Sequence, residues 1–294
     1  MSVENESARI VVGVDGSAGG RAALKWAIDE ATLRGSPLHL VHAWRPLYRD
    51  ADGDHDESEA VLIARTHGDA LLQAAQASIK VTAPNLRTEK ELSRGRPSAV
   101  LLEAAVGARM LVVGARGLGG SPGMRLGSVG LHAAAHGPCT TVVVRGYEHS
   151  RGRVVAGIDG SPESKRVLDA AFEEAWVRKS RLLVVSALYV HPREEGVANR
   201  TRALEAAQAA ADAATYPLLQ EYSKQYPDVD VHSSFPIGYP AELLVSSSAA
   251  AQLLIVGAHG GGGFVGMHLG SIAHAVVHEA RCPVMVVREN RPTP

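Results

Sequence analysis

The chain has 294 residues, room for two ordinary domains, and its 46% hydrophobic and 21% charged content excludes both a disordered chain and a small stapled scaffold. Thirty Lys and Arg against 31 Asp and Glu leave a formal charge of −1, so no net field draws the chain to nucleic acid or to an anionic membrane. Two cysteines, Cys139 and Cys282, are too few for a disulfide framework, and MSVENESARI has no leader pattern; with no apolar run near the roughly 20 residues of a membrane span, the expected location is cytoplasmic.

Residues 10–14, Ile-Val-Val-Gly-Val, are apolar, β-branched and too few for a helix, so they predict a buried strand. Ser17 is the expected N-cap of a helix in which Ala22, Ala23, Trp26, Ala27 and Ala31 recur at helical spacing until Gly35-Ser36-Pro37 stops it. A second strand follows at 38–43, a long amphipathic helix at 58–80 and an alternating strand at 86–92. Pro97 opens a helix over 97–105, as proline does in a first turn. Strand four covers 110–113, a helix spans 128–136 after a glycine-rich stretch, and the last strand covers 140–145.

The same unit is then written again. Gly13-Val14-Asp15-Gly16-Ser17 recurs as Gly157-Ile158-Asp159-Gly160-Ser161, an offset of 144. Gly114-Ala115-Arg116-Gly117 recurs as Gly257-Ala258-His259-Gly260, and Gly127-Ser128 as Gly270-Ser271, both at 143. A fixed offset fixes the architecture, so two similar domains are expected, over 1–148 and 152–294. Alternating strands and helices with buried strands predict an α/β fold. Each domain is an open, doubly wound, five-stranded parallel sheet with helices on both faces. Ligands of such sheets bind beyond the carboxyl ends of the strands where the strand order reverses. The Asp-Gly-Ser loop after strand one and the glycine loop after strand four face one cleft if those strands are neighbours.

Residues 114–128 hold six glycines and end at a helix start. Glycine lets backbone amides approach a ligand closely, and a helix amino terminus offers unpaired N–H groups and partial positive charge, so the stretch reads as an anion cradle. A merely flexible linker has no need to keep the same glycine spacing in both copies.

Both stretches fit the G-2x-G-9x-G-[S/T] pattern of nucleotide-binding universal stress proteins, through Gly114, Gly117 and Gly127-Ser128, and through Gly257, Gly260 and Gly270-Ser271. The likeness covers nearly the whole chain, includes Asp15, Asp159 and Val41-His42-Ala43, and is to the tandem form common in actinobacteria. It implies the Rossmann-like fold of adenine-nucleotide hydrolases and ATP, with or without Mg2+, in each domain. Asp15 and Ala43 would face the base or ribose, Gly117, Gly119, Gly120, Gly127 and Ser128 would hold the phosphates, and Gly13, Gly114 and Arg116 would belong to the same nucleotide site. Gly157, Asp159, Ala187, Gly257, His259, Gly260, Gly262, Gly263, Gly270 and Ser271 would do the same in the second copy. Arg125 would reach a terminal phosphate in the first site where His268 stands in the second, so the two sites would differ in affinity. The resemblance also implies a homodimer through the last strands, at 141–145 and 283–287, and a role in stress, dormancy or growth control.

Other motifs are weaker. Gly261-Gly262-Gly263-Phe264-Val265-Gly266 is a formal G-x-G-x-x-G, but no acid closes the strand at 283–287 as a dinucleotide site requires, and no G-x-x-x-x-G-K-[ST] occurs. Gly119-Gly120-Ser121-Pro122-Gly123 satisfies G-x-S-x-G, yet Pro122 lacks the N–H an oxyanion hole needs and the second copy has Phe264 in place of the serine. His132 and His136, like His274 and His278, lack the glutamate of a zinc helix, with Ala133 and Ala275 there instead. Asp50 to Asp56 imitates a calcium loop, but His55 and Val61 stand where glycine and glutamate are required. Cys139 and Cys282 read as small buried hydrophobes. Phosphoryl transfer needs a metal-binding carboxylate and a cation on the leaving charge, and only Asp15, Asp159 and Arg125 are at hand. The expectation is therefore a nucleotide-dependent regulatory module without catalytic or metal-ligating residues; the alternative is a slow ATPase or other hydrolase in the same cleft.

Overall fold

The computed structural model describes residues 9–45, 59–118, 125–145, 152–188, 197–261 and 268–288. These fall into two compact units on either side of residue 145.

The first unit contains β1 (Ile10–Gly13), α1 (Ala18–Arg34), β2 (Leu38–Trp44), α2 (Glu59–Thr82), β3 (Thr88–Arg94), α3 (Pro97–Ala104), β4 (Met110–Gly114), α4 (Ser128–His136) and β5 (Thr140–Val144). All pairings are parallel, in the order β3-β2-β1-β4-β5. The second unit repeats this with β6 (Arg153–Gly157), α5 (Glu163–Val177), β7 (Leu182–Val185), α6 (Val197–Gln225), β8 (Val231–Ser234), α7 (Pro240–Ser247), β9 (Ala251–Gly257), α8 (Ser271–Glu279) and β10 (Val284–Val287), in the order β8-β7-β6-β9-β10. Each unit is thus a five-stranded parallel sheet whose order reverses between β1 and β4, or between β6 and β9. The two unusual loops of each copy leave these neighbouring strands.

Helices cover both faces, as right-handed crossovers on either side of a reversal require. α1 lies on β1 and β4 and α2 on β2 and β3, while α3 and α4 pack against each other beneath β1, β2, β4 and β5. The core is aliphatic, as expected, with Ile10, Leu38, Leu40, Leu111, Leu253 and Leu254 fully buried beside Trp26 and Phe172. Cys139 and Cys282 are both buried and unbridged, and burial pushes the Cys139 thiol up to about 12.

Some boundaries move. Strand three starts at Thr88, because Leu86 is spent in a turn that donates its N–H to the Ala83 carbonyl. α6 runs 29 residues and carries Pro217 in its interior, which removes one helical hydrogen bond. The second unit also has an aromatic cluster absent from the described part of the first: Phe172 stacks on Tyr222 with ring centroids 5.0 Å apart, and the Tyr222 hydroxyl bonds the Asp169 carboxylate.

Two matching details escaped the sequence reading. Glu30 and Arg34 pair within α1, and Glu174 and Arg178 pair 2.9 Å apart within α5, with every side chain buried. Both helices end in a left-handed residue that returns the chain to the sheet, Gly35 at φ 62° in the first unit and Lys179 at φ 49° in the second. The residue after each, Ser36 or Ser180, donates its N–H to the carbonyl of Ala31 or Ala175.

Candidate functional site

In the second unit the chain leaves β6 through Ile158 and Asp159 and turns at Gly160, whose φ of 75° only glycine adopts easily. Asp159 keeps an exposed face, yet three donors hold it. Oδ1 accepts the Ser161 amide at 3.0 Å and the Ser164 hydroxyl at 3.1 Å, and Oδ2 accepts the Gly261 amide at 2.8 Å. The last bond ties the loop after β6 to the glycine loop after β9. Gly260 has no room for a side chain because the Asp159 carboxylate occupies the place of its Cβ. A side chain here would have to displace that carboxylate, so packing favours glycine.

Partial burial alone would raise the Asp159 carboxyl, but the bonds from Ser161, Gly261 and Ser164 outweigh it and hold the group below the usual carboxylate value. A carboxyl depressed in the folded state contributes stability that is fully present above its unfolded value, about 3.9, and is lost as pH falls through the lower folded value. Asp159→Asn should therefore flatten the decline of stability below about pH 4. Chemical denaturation of the two chains across acid pH reads this directly, and parallel curves would show that Asp159 is not so held.

Beyond the strand ends lies a cavity of about 220 Å3. Its apolar wall is Ile158, Val185, Ala187, Pro240, Leu244 and Val256. Its polar lining is Asp159, Ser161, Glu163, Ser164, His259 and Ser271, with the glycines Gly260 and Gly270. Gly270 is the N-cap of α8 and supplies no side chain to its first turn, so the leading N–H groups of the helix are open to a ligand. The Gly270 amide donates to the Ala258 carbonyl at 2.8 Å, which locks the helix start onto the strand end.

The expected residues therefore divide. Gly157, Asp159, Ala187, Gly257, His259, Gly260, Gly270 and Ser271 all line the one cavity. His268 is exposed, and its backbone carbonyl accepts Arg288 Nη2 at 2.6 Å. Gly262 and Gly263, like Gly119 and Gly120, lie outside the described residues.

The first unit repeats the frame. Asp15 Oδ1 accepts the Ser17 amide at 2.9 Å and its hydroxyl at 2.7 Å, and a Cβ on Gly117 would stand 2.6 Å from Asp15 Oδ2. Ser17 is the N-cap expected, accepting the Gly20 amide at 2.9 Å. Gly127 caps α4 without a side chain and donates to the Ala115 carbonyl at 2.7 Å. Gly13 and Gly114 end β1 and β4, Ala43 lies in β2 opposite Ser93, and Arg116 and Ser128 are exposed. Arg125 is exposed too, and its carbonyl accepts Arg145 Nη2 at 3.2 Å. Arg145 and Arg288, not singled out in the sequence, thus hold the same carbonyl in each copy, and their shared offset of 143 was the available signal.

The family model described as "Universal stress protein family" matches residues 7–145 and again 150–288. The chain belongs to this family. A universal stress protein of Mycobacterium tuberculosis is 33% identical over 303 aligned positions, covering 99% of this chain and all of the relative. One of Mycolicibacterium smegmatis is 33% identical over 296, covering 95% of this chain and 96% of the relative. In fold, the chain is similar to a universal stress protein from Archaeoglobus fulgidus, with a TM-score of 0.66 at 17% identity, over 96% of this chain and 99% of the other. The tandem likeness and the α/β architecture read from the sequence are thereby established. Among the described residues no helix is long and apolar enough to cross a membrane, and no group of three or more His, Cys, Asp or Glu gathers as metal ligands do.

Proposed function

We propose that this universal stress protein binds an adenine nucleotide, ATP in the first instance, in the cleft beyond β6 and β9, and that the bound nucleotide sets a regulatory state in a stress response. The observation that carries the reading is the polarity of the cavity. The apolar lining at Ala187, Pro240 and Leu244 suits a purine, and the glycine loop with the open first turn of α8 suits phosphates. Asp159 also lines the cavity and, with one carboxylate face still exposed, is proposed to meet the ribose hydroxyls.

Binding is favoured over turnover. Among the described residues that line the cavity there is no Lys or Arg, and phosphoryl transfer leans on such a cation to stabilise the leaving charge. Any Mg2+ brought in by the phosphates would meet Asp159 and Glu163, which also line the cavity. ATP hydrolysis, if present, is accordingly a slow side reaction. The buried thiols of Cys139 and Cys282 suit a reducing, cytoplasmic setting.

Denaturing freshly purified protein and identifying what it releases, by chromatography and mass, tests the reading. Released ATP or ADP, with rebinding of added ATP, is expected. Protein that releases no nucleotide and binds none on addition would reject it.

A further inference from the structure

We infer that the two units are unequal and that one nucleotide binds per chain, in the second unit, because the first unit closes its own cleft with backbone; the inference rests on the nucleotide reading above. In the first unit the Arg116 carbonyl of the glycine loop lies against the first turn of α1. Ser17 Oγ lies 3.3 Å from it while giving its proton to Asp15 Oδ1 at 2.7 Å, and a Cβ on Gly19 would overlap it. From the strand side, a Cβ on Gly114 would stand 2.5 Å from the Gly19 carbonyl carbon and 2.6 Å from its oxygen. Helix start, strand end and glycine loop are in backbone-to-backbone contact that only glycines permit. The same Ser17 hydroxyl accepts the Gly20 amide, so a first-turn N–H that would otherwise face an anion is already satisfied.

The second unit departs from each of these features. Glu163 and Ser164 stand where the first unit has Gly19 and Gly20. Their side chains hold the helix off the loop, so a Cβ on Gly257 would come no nearer than 3.8 Å to Glu163 Cβ. The loop carbonyl that meets the helix in the first unit here belongs to His259 and turns back toward Gly257, 2.9 Å from the place of its Cβ. No side chain caps α5, and Glu163 and Ser164 become part of the cavity lining. Where the first unit sets main chain against main chain, the second sets the side chains of Glu163 and Ser164, and these line its cavity.

Equilibrium dialysis with labelled ATP gives the stoichiometry, and photo-crosslinking of an azido-adenine nucleotide to the unaltered chain, followed by peptide mass mapping, gives the unit. One equivalent per chain, with crosslinks confined to peptides after residue 152, is expected. Two equivalents, or crosslinks shared between the units, would overturn the inequality while leaving the nucleotide reading intact. No binding at all would overturn the nucleotide reading itself. Gly19→Glu, which copies the second unit's residue, should force the Arg116 carbonyl away and raise the stoichiometry toward two. A folded variant that stays at one would overturn the assignment of closure to this contact. Because the crosslink map uses the unaltered chain, the test stands even if that variant fails to fold.

Discussion

Gly260→Asp should weaken nucleotide binding by about 100-fold or more, with the fold retained. The new Cβ has no place beside the Asp159 carboxylate as it stands, so carboxylate or loop must shift, which disturbs the bond from the Gly261 amide to Asp159. The added carboxylate then stands in the polar lining of the cavity, where the phosphates are proposed to lie. Juxtaposed like charges cost several kcal/mol, and about 2.7 kcal/mol is already 100-fold in affinity. Titration calorimetry with ATP on both chains measures the change, and circular dichroism checks the fold. Near-equal affinities would remove the glycine loop from the site. Gly260→Ala separates the two causes, since it brings the crowding without the charge and should fall between.

Glu174→Ala should cost about 3–5 kcal/mol of stability, the usual range when one partner of a buried ion pair is removed. Glu174 and Arg178 are nearly shielded from water, and the substitution takes the carboxylate from a guanidinium that stays inside. A well-packed apolar replacement of both residues would be far milder, because the loss comes from stranding a charge and not from the pair's net attraction. The midpoint of urea unfolding for Glu174→Ala and for Glu174→Leu with Arg178→Met decides between these. If the single variant is no worse than the double, the pair is not held as described.

The architecture was legible because it was written twice. A fixed offset identified the unit, short β-branched runs identified the buried strands, and the glycine spacing located the loops at the reversal of strand order. The cavity's floor was legible for the same reason, since Asp159, Gly260 and Gly270 sit in loops whose residue types are dictated locally. Its walls were not. Pro240, Leu244, Glu163 and Ser164 come from helices that reach the cleft only through the crossovers, and nothing in their local pattern says which turn faces the ligand. The Glu-Arg pairs were invisible for a related reason, because an i,i+4 ion pair on a helix normally reads as solvated surface. Only the repetition of Glu30 and Arg34 at positions 174 and 178 hinted at more. Gly19 was hidden most deeply: a glycine in the first turn of a helix reads as a weak helix former, and its need to clear the Arg116 carbonyl exists only after strand, loop and helix have met.

The helix ends beside those ion pairs differ by one residue. At Gly35 the left-handed turn is free of strain, whereas the Lys179 side chain carries a penalty of roughly 1 kcal/mol for the same backbone. The strain lies one residue beyond Arg178. The last turn of α5 therefore opens more readily than that of α1, and such local opening admits water to the Glu174 and Arg178 charges without unfolding the sheet beneath. One copy of the fold thus carries a strained helix end that its twin lacks, and amide exchange at the end of α5 should be faster than at the end of α1.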